Sequence, residues 1–449
     1  MLKRPIAAIV VSVVVFCVFA ELFSLVIFYY QHGWLFYTDP YRSAHALIPE
    51  TRDQRLTLEG LHPYFGQTHM PGAPFDIPES LRRVRPDGGG KAPDSATPSR
   101  LKTNNFGFVS AFDYPVSRTR GDQFIIGIFG GSVGAWFCQV GVHRLVEDLH
   151  ENGFFKAKEL VPLCFSHEGY KQPQQLLVLA YFLSIGQSFD LVVNIDGFNE
   201  VALSSINDQH GVDISMPSYS HMSPLINLVN QATLTPAKLK SLAQISRHKE
   251  QLNSLAVRID QARLASVGVV LEQYYAIVEH RYRAELLAFD ALPSNPSDQS
   301  VIHVTPAVKA REGATLVEDI ARNWIGSSSL MNALLAAQGV PYFHFLQPNQ
   351  YYTTRTFSSA EAMVALSEAS SFKPGVVTGY PALVAASESS AVKNSSLRFF
   401  SGIHIFDRES SPVYLDNCCH YSLVGSELLA DFIARSVLNS SGPWQSAGK

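Results

Sequence analysis

The stretch QFIIGIFGGSVGAWFC at residues 123–138 constrains the fold more than any other part of the chain. Residues 124–129 are a nearly unbroken apolar run of strand length, which is typical of a parallel strand buried on both faces. The glycine pair that follows permits a sharp turn, and the pattern at 133–152 predicts a helix. Ser132 thus lies between a buried strand and a helix N-terminus, where backbone N–H groups can stabilise an oxyanion. The same residues also fit a Gly-Gly-Ser turn that has no catalytic role, so the interpretation of Ser132 depends on the rest of the chain.

Strands and helices alternate from residue 121 onward. The pattern predicts further strands at 159–165, 189–195, 340–346 and 399–406, and further helices at 173–185, 315–338 and 422–438. Such alternation predicts an α/β fold, with a parallel sheet of about five strands covered by helices on both faces. Sites in such sheets lie beyond the carboxyl ends of the strands. Ser132, Gly169 and Asn199 each follow a predicted strand, so we expect them along one edge of the sheet.

Two segments interrupt this alternation. Residues 202–300 contain a long helical region at 236–287, which we interpret as a helical, lid-like insertion. Residues 349–395 are rich in Ser and Ala and form a second insertion. The predicted catalytic-type domain therefore covers 121–437, and residues 438–449 form a tail.

The segment 31–120 before the sheet is rich in Pro, Gly, Asp and Arg, and we interpret it as a membrane-proximal region. Its residues 84–100 have almost no apolar content, a composition typical of a mobile loop. Two aromatic patches, 62–66 and 103–108, are predicted to be ordered. They either contribute to a substrate cleft or pack against the edge of the domain.

The N-terminus is almost wholly apolar at residues 5–30, with Glu21 as the single charge inside the run. About 20 such residues span a bilayer. The run continues well past Ala20, a poor cleavage site, so we expect an uncleaved signal anchor in preference to a cleaved signal peptide or a buried core helix. The basic residues before the run place residues 1–4 in the cytoplasm. The chain after about residue 31 is then expected outside it, in a periplasmic or extracellular space.

The cysteine positions and the net charge limit which disulfides, metal sites and binding partners are expected. One of the five cysteines lies in the apolar run, and an oxidising compartment would allow bridges among the others, which are Cys138, Cys164, Cys418 and Cys419. We expect at least one bridge, joining Cys418 or Cys419 to Cys164. No Cys-x-x-Cys or His-x-x-x-His spacing accompanies them, so neither a metal nor a cofactor is expected. A formal net charge of −4 and the lack of a long basic cluster argue against nucleic acid as a partner.

Three short segments occur in an informative order. Gly131-Ser132 follows the first strand, Gly197-Phe198-Asn199-Glu200 follows the third, and Asp416 and His420 precede the last helix. This order resembles the SGNH/GDSL hydrolase family, whose blocks are a nucleophile serine turn, a central Gly, a Gly-x-Asn-Asp segment and a C-terminal Asp-x-x-His. The resemblance covers roughly the first and last parts of the predicted domain and neither insertion.

The resemblance implies a role for each matching residue. Ser132 is the expected nucleophile, His420 its general base, and Asp416 the acid that orients the imidazole. The Ser132 and Gly169 N–H groups and the Asn199 amide are the expected oxyanion donors. These residue types suit the chemistry, because a serine hydroxyl needs a base to take its proton and an amide stabilises an oxyanion without carrying charge. The family also implies a three-layer α/β/α sandwich of the flavodoxin-like kind.

The chain departs from the family pattern at three positions. Gly131 and Glu200 stand where the family has Asp. The acid lies four residues before His420, and position 417 is Asn. Two alternatives therefore remain: Asp416 reaches the imidazole, or a Ser–His dyad is supported by a backbone carbonyl.

A rival fold shares one motif with this chain. The spacing Gly130-x-Ser132-x-Gly134 also matches the nucleophile elbow of α/β-hydrolases. In that fold several strands precede the serine, whereas the residues before Ser132 are turn-rich and show no clear series of strands.

The resulting expectation is a membrane-anchored serine esterase or O-acyltransferase, acting outside the cytoplasm through an acyl-serine intermediate. Its substrate would be a small ester or an acylated surface polysaccharide, by analogy with exported members of the family. The alternative is a catalytically inactive binding or assembly protein with the same fold. The sequence leaves the oligomeric state open.

Overall fold

The computed structural model describes residues 3–32, 35–37, 59–75, 101–229, 235–293, 309–393 and 395–448. The chain divides into two compact units, the first comprising residues 1–55 and 230–301 and the second residues 56–229 and 302–449. The loop expected at 84–100 lies outside the described residues.

The strands of the described residues are β1 (Glu59–His62), β2 (Gly66–His69), β3 (Pro74–Phe75), β4 (Leu101–Lys102), β5 (Gln123–Gly130), β6 (Glu159–Cys164), β7 (Leu191–Asp196), β8 (Tyr342–Leu346) and β9 (Arg398–Ser401). The helices up to the middle of the chain are α1 (Lys3–His32), α2 (Ser132–Trp136), α3 (Val142–His150), α4 (Gly153–Lys156), α5 (Gln174–Ser184), α6 (Phe198–Gln209), α7 (Tyr219–Val229), α8 (Pro236–Asp260) and α9 (Ala265–Ala291). The later helices are α10 (Gly313–Ala336), α11 (Ser359–Ala365), α12 (Lys373–Ser387), α13 (Ser390–Lys393) and α14 (Leu423–Asn439). A π-helix (Phe137–Gly141) joins α2 to α3, and a 3₁₀-helix (Pro443–Gly448) follows α14.

The second unit contains a five-stranded sheet in the order β6-β5-β7-β8-β9, and all of its strand pairs are parallel. The predicted α/β class and parallel sheet are confirmed. In chain order the arrangement is 2-1-3-4-5, the order of doubly wound folds, which bind ligands where the order reverses. That point lies between β5 and β7. The strand expected at 399–406 is shorter than predicted, because the backbone turns after Ser401.

Side chains of the central strand β5 alternate between two hydrophobic clusters. Ile126 and Ile128 belong to a cluster shared with α3, α10 and α14, whereas Ile125 and Phe129 belong to one shared with α5. Apolar side chains therefore cover both faces of the strand, which explains why its sequence is an unbroken apolar run rather than an alternating one. Ile126 and Ile128 are completely buried, and burial of such a side chain contributes about 1.5–3 kcal/mol.

The two aromatic patches before the sheet pack against α5. Phe65 and Phe108 are completely buried, and both ring centroids lie 5.9 Å from that of Phe182. Of the two roles considered for these patches, packing against the domain is the one that the structure favours.

The first unit contains α1, α8 and α9. Within α1, residues 11–31 form a 21-residue segment of mean hydropathy 2.7, which is long and apolar enough to cross a membrane. The helical region expected at 236–287 consists of two helices, α8 and α9, which pack against each other and are separated by a short turn. Glu21 of α1 accepts hydrogen bonds from the N–H groups of Ala265 (2.6 Å) and Ser266 (3.0 Å). The one charge of the apolar run thereby caps the N-terminus of α9.

Candidate active site

Ser132 lies where the sequence predicts, directly after the carboxyl end of β5 and at the start of α2. Its side chain is largely buried, with 8% of the residue exposed. The helix expected from 133 to 152 is interrupted by the π-helix Phe137–Gly141 before it continues as α3. Such π-helical segments are frequent at functional sites.

Gly131 is required because Asn199 approaches it closely. A Cβ atom at position 131 would lie 2.1 Å from Asn199 Nδ2 and 3.0 Å from the Tyr170 carbonyl oxygen. A side chain at this position would have to displace that amide, and the Asn199 amide lies beside the serine turn.

The structure brings Ser132, His420 and Asp416 into one hydrogen-bonded chain. His420 Nε2 lies 2.8 Å from Ser132 Oγ, and His420 Nδ1 is in short hydrogen-bond contact with Asp416 Oδ2. Because a carboxylate only accepts, Nδ1 is the donor, so in the neutral form of the ring Nε2 is the acceptor for the serine proton. The acid reaches the imidazole in spite of the extra residue in the turn.

Asp416 also holds the turn that carries His420. Its Oδ1 accepts hydrogen bonds from the N–H groups of Cys418 (2.9 Å), Cys419 (3.0 Å) and His420 (3.3 Å). The Leu415 N–H donates to the His420 carbonyl at 3.0 Å and closes the turn. One carboxyl group thus has two roles, since Oδ1 shapes the turn and Oδ2 contacts the ring.

A segment after β8 fixes this turn from a second side. Asn349 Nδ2 donates to the Cys418 carbonyl (3.0 Å), and Gln350 Nε2 donates to the Asp416 carbonyl (3.0 Å). The Tyr351 hydroxyl donates to the Asn417 carbonyl at 2.9 Å. Sequence reasoning assigned these residues to an insertion and missed their role. The available signal was a run of amide side chains directly after the carboxyl end of a buried strand.

Two further side chains line the Ser–His pair. The Trp136 ring stacks on His420, with centroids 4.3 Å apart and planes 13° apart. Cys419 Sγ lies 3.9 Å from Ser132 Oγ and 3.6 Å from Cys418 Sγ. Sequence reasoning missed both as site residues, although Trp136 lies four positions after Ser132 and hence on the same face of a helix.

The charges of the site favour a protonated imidazole in the free protein. Burial opposes this charge, but Asp416 and Cys419 raise the pKa of His420 well above its usual value. Burial also opposes ionisation of Asp416, but His420 lowers the pKa of that carboxyl. For Cys419, burial disfavours the thiolate, whereas the Cys418 thiol and His420 lower the pKa. The pair Asp416–His420 is therefore ionic until the pH rises through the raised pKa of the histidine.

The loop after β6 borders the site through Tyr170. Its carbonyl accepts a hydrogen bond from Asn199 Nδ2 at 2.8 Å, which leaves the second amide hydrogen for another acceptor. Gly169 has a φ of +76°, and a Cβ there would lie 2.6 Å from the ring of His221. The donor role of the Gly169 N–H stays a prediction.

Glu200 joins this loop to the turn after β7. Its carboxyl accepts hydrogen bonds from the N–H groups of Gly197 (2.7 Å) and Gln172 (3.0 Å). Burial and the neighbouring Asp196 raise the pKa of Glu200 to about 8. The Glu200 carboxyl therefore links the turn that precedes Asn199 to the loop that the Asn199 amide contacts.

The disulfide differs from the expected one. Cys138 is bonded to Cys164, and neither Cys418 nor Cys419 forms a disulfide within the described part of the chain. A bridge exists, but its predicted partner was wrong. Cys164 ends the edge strand β6, next to the π-helix that contains Cys138. The turn with Cys418 and Cys419 instead contacts the segment after β8, which lies across β5 and β7 from β6.

Two groups of side chains in the described residues have the composition and proximity to hold a metal ion. One is Cys418, Cys419 and His420, and the other is His69, His167 and Glu168. An ion in the first group would occupy the expected general base.

Comparison with models of known protein families gives no match, and comparison with curated protein sequences gives none.

Proposed function

We propose that the protein is a serine ester hydrolase or O-acyltransferase of the SGNH/GDSL type. The observation that supports it is the chain from Ser132 Oγ through the His420 ring to Asp416, with 2.8 Å between Oγ and Nε2. The order of the segments that carry these residues resembles that family, and the proposed fold is its three-layer α/β/α sandwich.

In the proposed acylation step, His420 Nε2 takes the proton of Ser132 as Oγ attacks the carbonyl carbon of an ester. The imidazolium that forms is stabilised by Asp416, which accepts from Nδ1 and stays ionised. Three backbone N–H groups already hold the other oxygen of that carboxylate. The acid is therefore fixed in place before the substrate binds.

The tetrahedral intermediate requires donors for its oxyanion. We assign this role to the N–H groups of Ser132 and Gly169 and to the Asn199 side chain. Asn199 supports the assignment best, because its Nδ2 lies against Gly131 at the serine turn and uses one hydrogen on the Tyr170 carbonyl. Collapse of the intermediate expels the alcohol, which takes the proton from His420 Nε2 and leaves an acyl-serine.

Deacylation repeats these steps with a different acceptor. His420 takes a proton from water or from a sugar hydroxyl, and that oxygen attacks the acyl-serine. Water gives an esterase, and a sugar hydroxyl gives an O-acyltransferase acting on acyl groups of a surface polysaccharide.

The proposed location is extracytoplasmic, with the chain anchored by α1. A helix of sufficient length and hydropathy supports this, together with the basic residues Lys3 and Arg4 before it. A reporter enzyme fused after Lys449 should be active only outside the cytoplasm. Activity of a cytoplasm-specific reporter at that position would contradict the proposed topology.

A serine-reactive fluorophosphonate tests the proposed reaction class directly. Detergent-purified full-length protein should form a covalent adduct at Ser132, identified by peptide mass mapping. The Ser132→Ala variant and heat-unfolded wild type should not react, because labelling requires both the hydroxyl and its assembled base. Absence of labelling in the folded wild type would instead favour the binding or assembly protein.

A further inference from the structure

A second group of polar side chains also lies in the second unit. Two of its members directly precede Gly169 and Tyr170 in the sequence. His69 comes from β2, whereas His167 and Glu168 come from the loop after β6. The two imidazole centroids lie 4.3 Å apart. Glu168 Oε2 lies 3.2 Å from His69 Nε2 and 3.6 Å from His167 Nδ1. One ring nitrogen of each histidine and one carboxylate oxygen of Glu168 lie within 4.8 Å of one another.

The group is buried, and one of its histidines presents a lone pair. Only 1% of His167 is exposed. Its Nδ1 lies 3.0 Å from the Glu168 carbonyl oxygen, which can only accept, so Nδ1 carries the hydrogen. The neutral ring then has its lone pair on Nε2, and this atom is buried without a hydrogen-bond partner among the described residues. A histidine whose other N–H donates to a backbone carbonyl is the usual form of a metal ligand.

A second buried acceptor lies on the strand that carries His69. Gln67 lies on the same face of β2 as His69, and its Oε1 also has no hydrogen-bond partner among the described residues. Burying such acceptors unsatisfied costs about 1–3 kcal/mol each. A cation satisfies several acceptors at once, whereas the described protein atoms around them supply no donor to Gln67 Oε1 or His167 Nε2.

We propose that His69, His167 and Glu168 bind a divalent metal ion of borderline softness, such as Zn²⁺. Two imidazoles and one carboxylate are a donor set that Zn²⁺ accepts, with room for a further ligand. The site goes beyond the proposed ester chemistry, since none of its three residues belongs to the Ser132 chain. The sequence could not reveal it, because His69 lies about one hundred positions before His167 and Glu168 and no short metal-binding spacing joins them.

The ion would join β2 to the loop that borders the candidate active site. Protein contacts already link these segments, since the Tyr170 hydroxyl donates to the Gln67 carbonyl at 2.7 Å and Gln67 Nε2 donates to the Glu168 carbonyl at 3.2 Å. The Tyr170 carbonyl in turn accepts from Asn199. The role that follows for the ion is structural, because it holds the loop whose carbonyl positions the Asn199 amide.

Metal binding by the full-length protein tests the proposal. Detergent-purified protein is stripped with a chelator and titrated with Zn²⁺, and bound zinc is measured by mass spectrometry. We expect about one ion per chain and a rise in the unfolding temperature that grows with the Zn²⁺ concentration. His167→Gln and Glu168→Gln should each weaken binding by about 100-fold or more, since loss of supporting residues alone costs 10–100-fold. His404→Gln, at an exposed histidine paired with Asp407, is the matched control and should bind as wild type does.

A second comparison excludes the thiol group near Ser132. The double variant Cys418→Ser, Cys419→Ser should keep the ion, and Co²⁺ bound to it should show no thiolate charge-transfer band. Loss of the ion in this variant would assign it to the thiols and overturn the proposal. Wild-type protein that takes up no Zn²⁺ or Co²⁺ would overturn it as well, whether or not the His167 and Glu168 variants fold.

Discussion

The described residues of the second unit include two hydrogen-bonded chains of side chains, each made of a serine, a histidine and an aspartate. Only one of the two is partly exposed to solvent. In the first, Ser132 Oγ lies 2.8 Å from His420 Nε2, and Nδ1 meets Asp416. In the second, Ser328 Oγ lies 2.7 Å from His344 Nδ1, and His344 Nε2 lies 2.7 Å from Asp196 Oδ1. The residue types and separations are nearly the same.

Burial and competing partners separate the two. Ser328 and His344 have no exposed surface, whereas the side chain of His420 is 12% exposed. Asp196 also accepts from Trp324 Nε1 at 2.7 Å and from Asn194 Nδ2 at 2.8 Å. The buried chain is a satisfied polar network in the core, and no ester can reach its hydroxyl. The proposed catalytic role therefore depends on a serine that a substrate can reach, and not on the three residue types alone.

The serines should differ most. Ser132→Ala should lower ester turnover by about 10⁵–10⁶-fold, because nucleophile and base act as one unit, and Ser132→Ala with His420→Ala should be no worse. Ser328→Ala should leave turnover within a few-fold but cost about 1–3 kcal/mol of folding free energy, since it leaves a buried imidazole nitrogen unsatisfied. Ester turnover and thermal unfolding measure the two effects. Full activity of Ser132→Ala would refute the proposed nucleophile.

The aspartates give the next largest contrast. Asp416→Asn should cost about 10⁴-fold in turnover because the imidazole loses control of its tautomer. The fold should persist, because the amide oxygen can still accept from the turn N–H groups. Asp196→Asn should instead lower stability by about 1.5–3 kcal/mol through weaker hydrogen bonds to a charged group. Both variants are compared by turnover and circular dichroism, and a loss under about tenfold for Asp416→Asn would reduce the site to a Ser–His dyad.

The proposed oxyanion donor, Asn199, gives a third contrast. Asn199→Ala should reduce turnover by about 10²–10³-fold, the usual effect of deleting one such donor. Asn332→Ala removes an amide whose Nδ2 donates to Ser396 Oγ, and it serves as the matched control with unchanged turnover. Steady-state kinetics on both variants measure the effect. Equal rates for Asn199→Ala and wild type would remove Asn199 from the site.

The pH profile gives the smallest effect. Because Asp416 and Cys419 raise the pKa of His420 despite its burial, activity should fall as the pH drops through a midpoint above about 6.5. Cys419→Ser removes one source of negative charge and should move this midpoint down by up to about one unit. The measurement is kcat/KM against pH, with circular dichroism at each pH. A wild-type midpoint below the usual histidine value, or an upward shift in Cys419→Ser, would contradict the assignment.

The same pKa directions predict how stability varies with pH. The raised pKa of His420 contributes stability fully below the unfolded value of about 6.5, and this contribution is lost as the pH rises through the folded pKa. The lowered pKa of Asp416 contributes above about 3.9 and is lost as the pH falls through its folded pKa. Urea unfolding of wild type and Asp416→Asn at several pH values measures this window.

The local sequence pattern was sufficient to predict the sheet. Strand β5 is buried on both faces, and an unbroken apolar run is typical of such a strand. The position of Ser132 followed from the same run. The reach of Asp416 could not be predicted, because it depends on a turn whose carbonyls are held by side chains about 66 positions away. The disulfide partner was wrong because Cys164 ends the edge strand β6 next to the π-helix that contains Cys138, a contact that the sequence pattern did not predict.

The double role of Asp416 has an evolutionary consequence. Under the proposed function, selection for a stable turn and selection for a competent base act on the same carboxyl group, so most replacements lose both properties together. Asparagine keeps the size and the short acceptor of the carboxyl while removing its charge. A lineage that lost the proposed reaction would therefore retain Asp416 or drift most readily to asparagine there. An asparagine at this position in a descendant would mark relaxed selection on catalysis under continued selection on the fold.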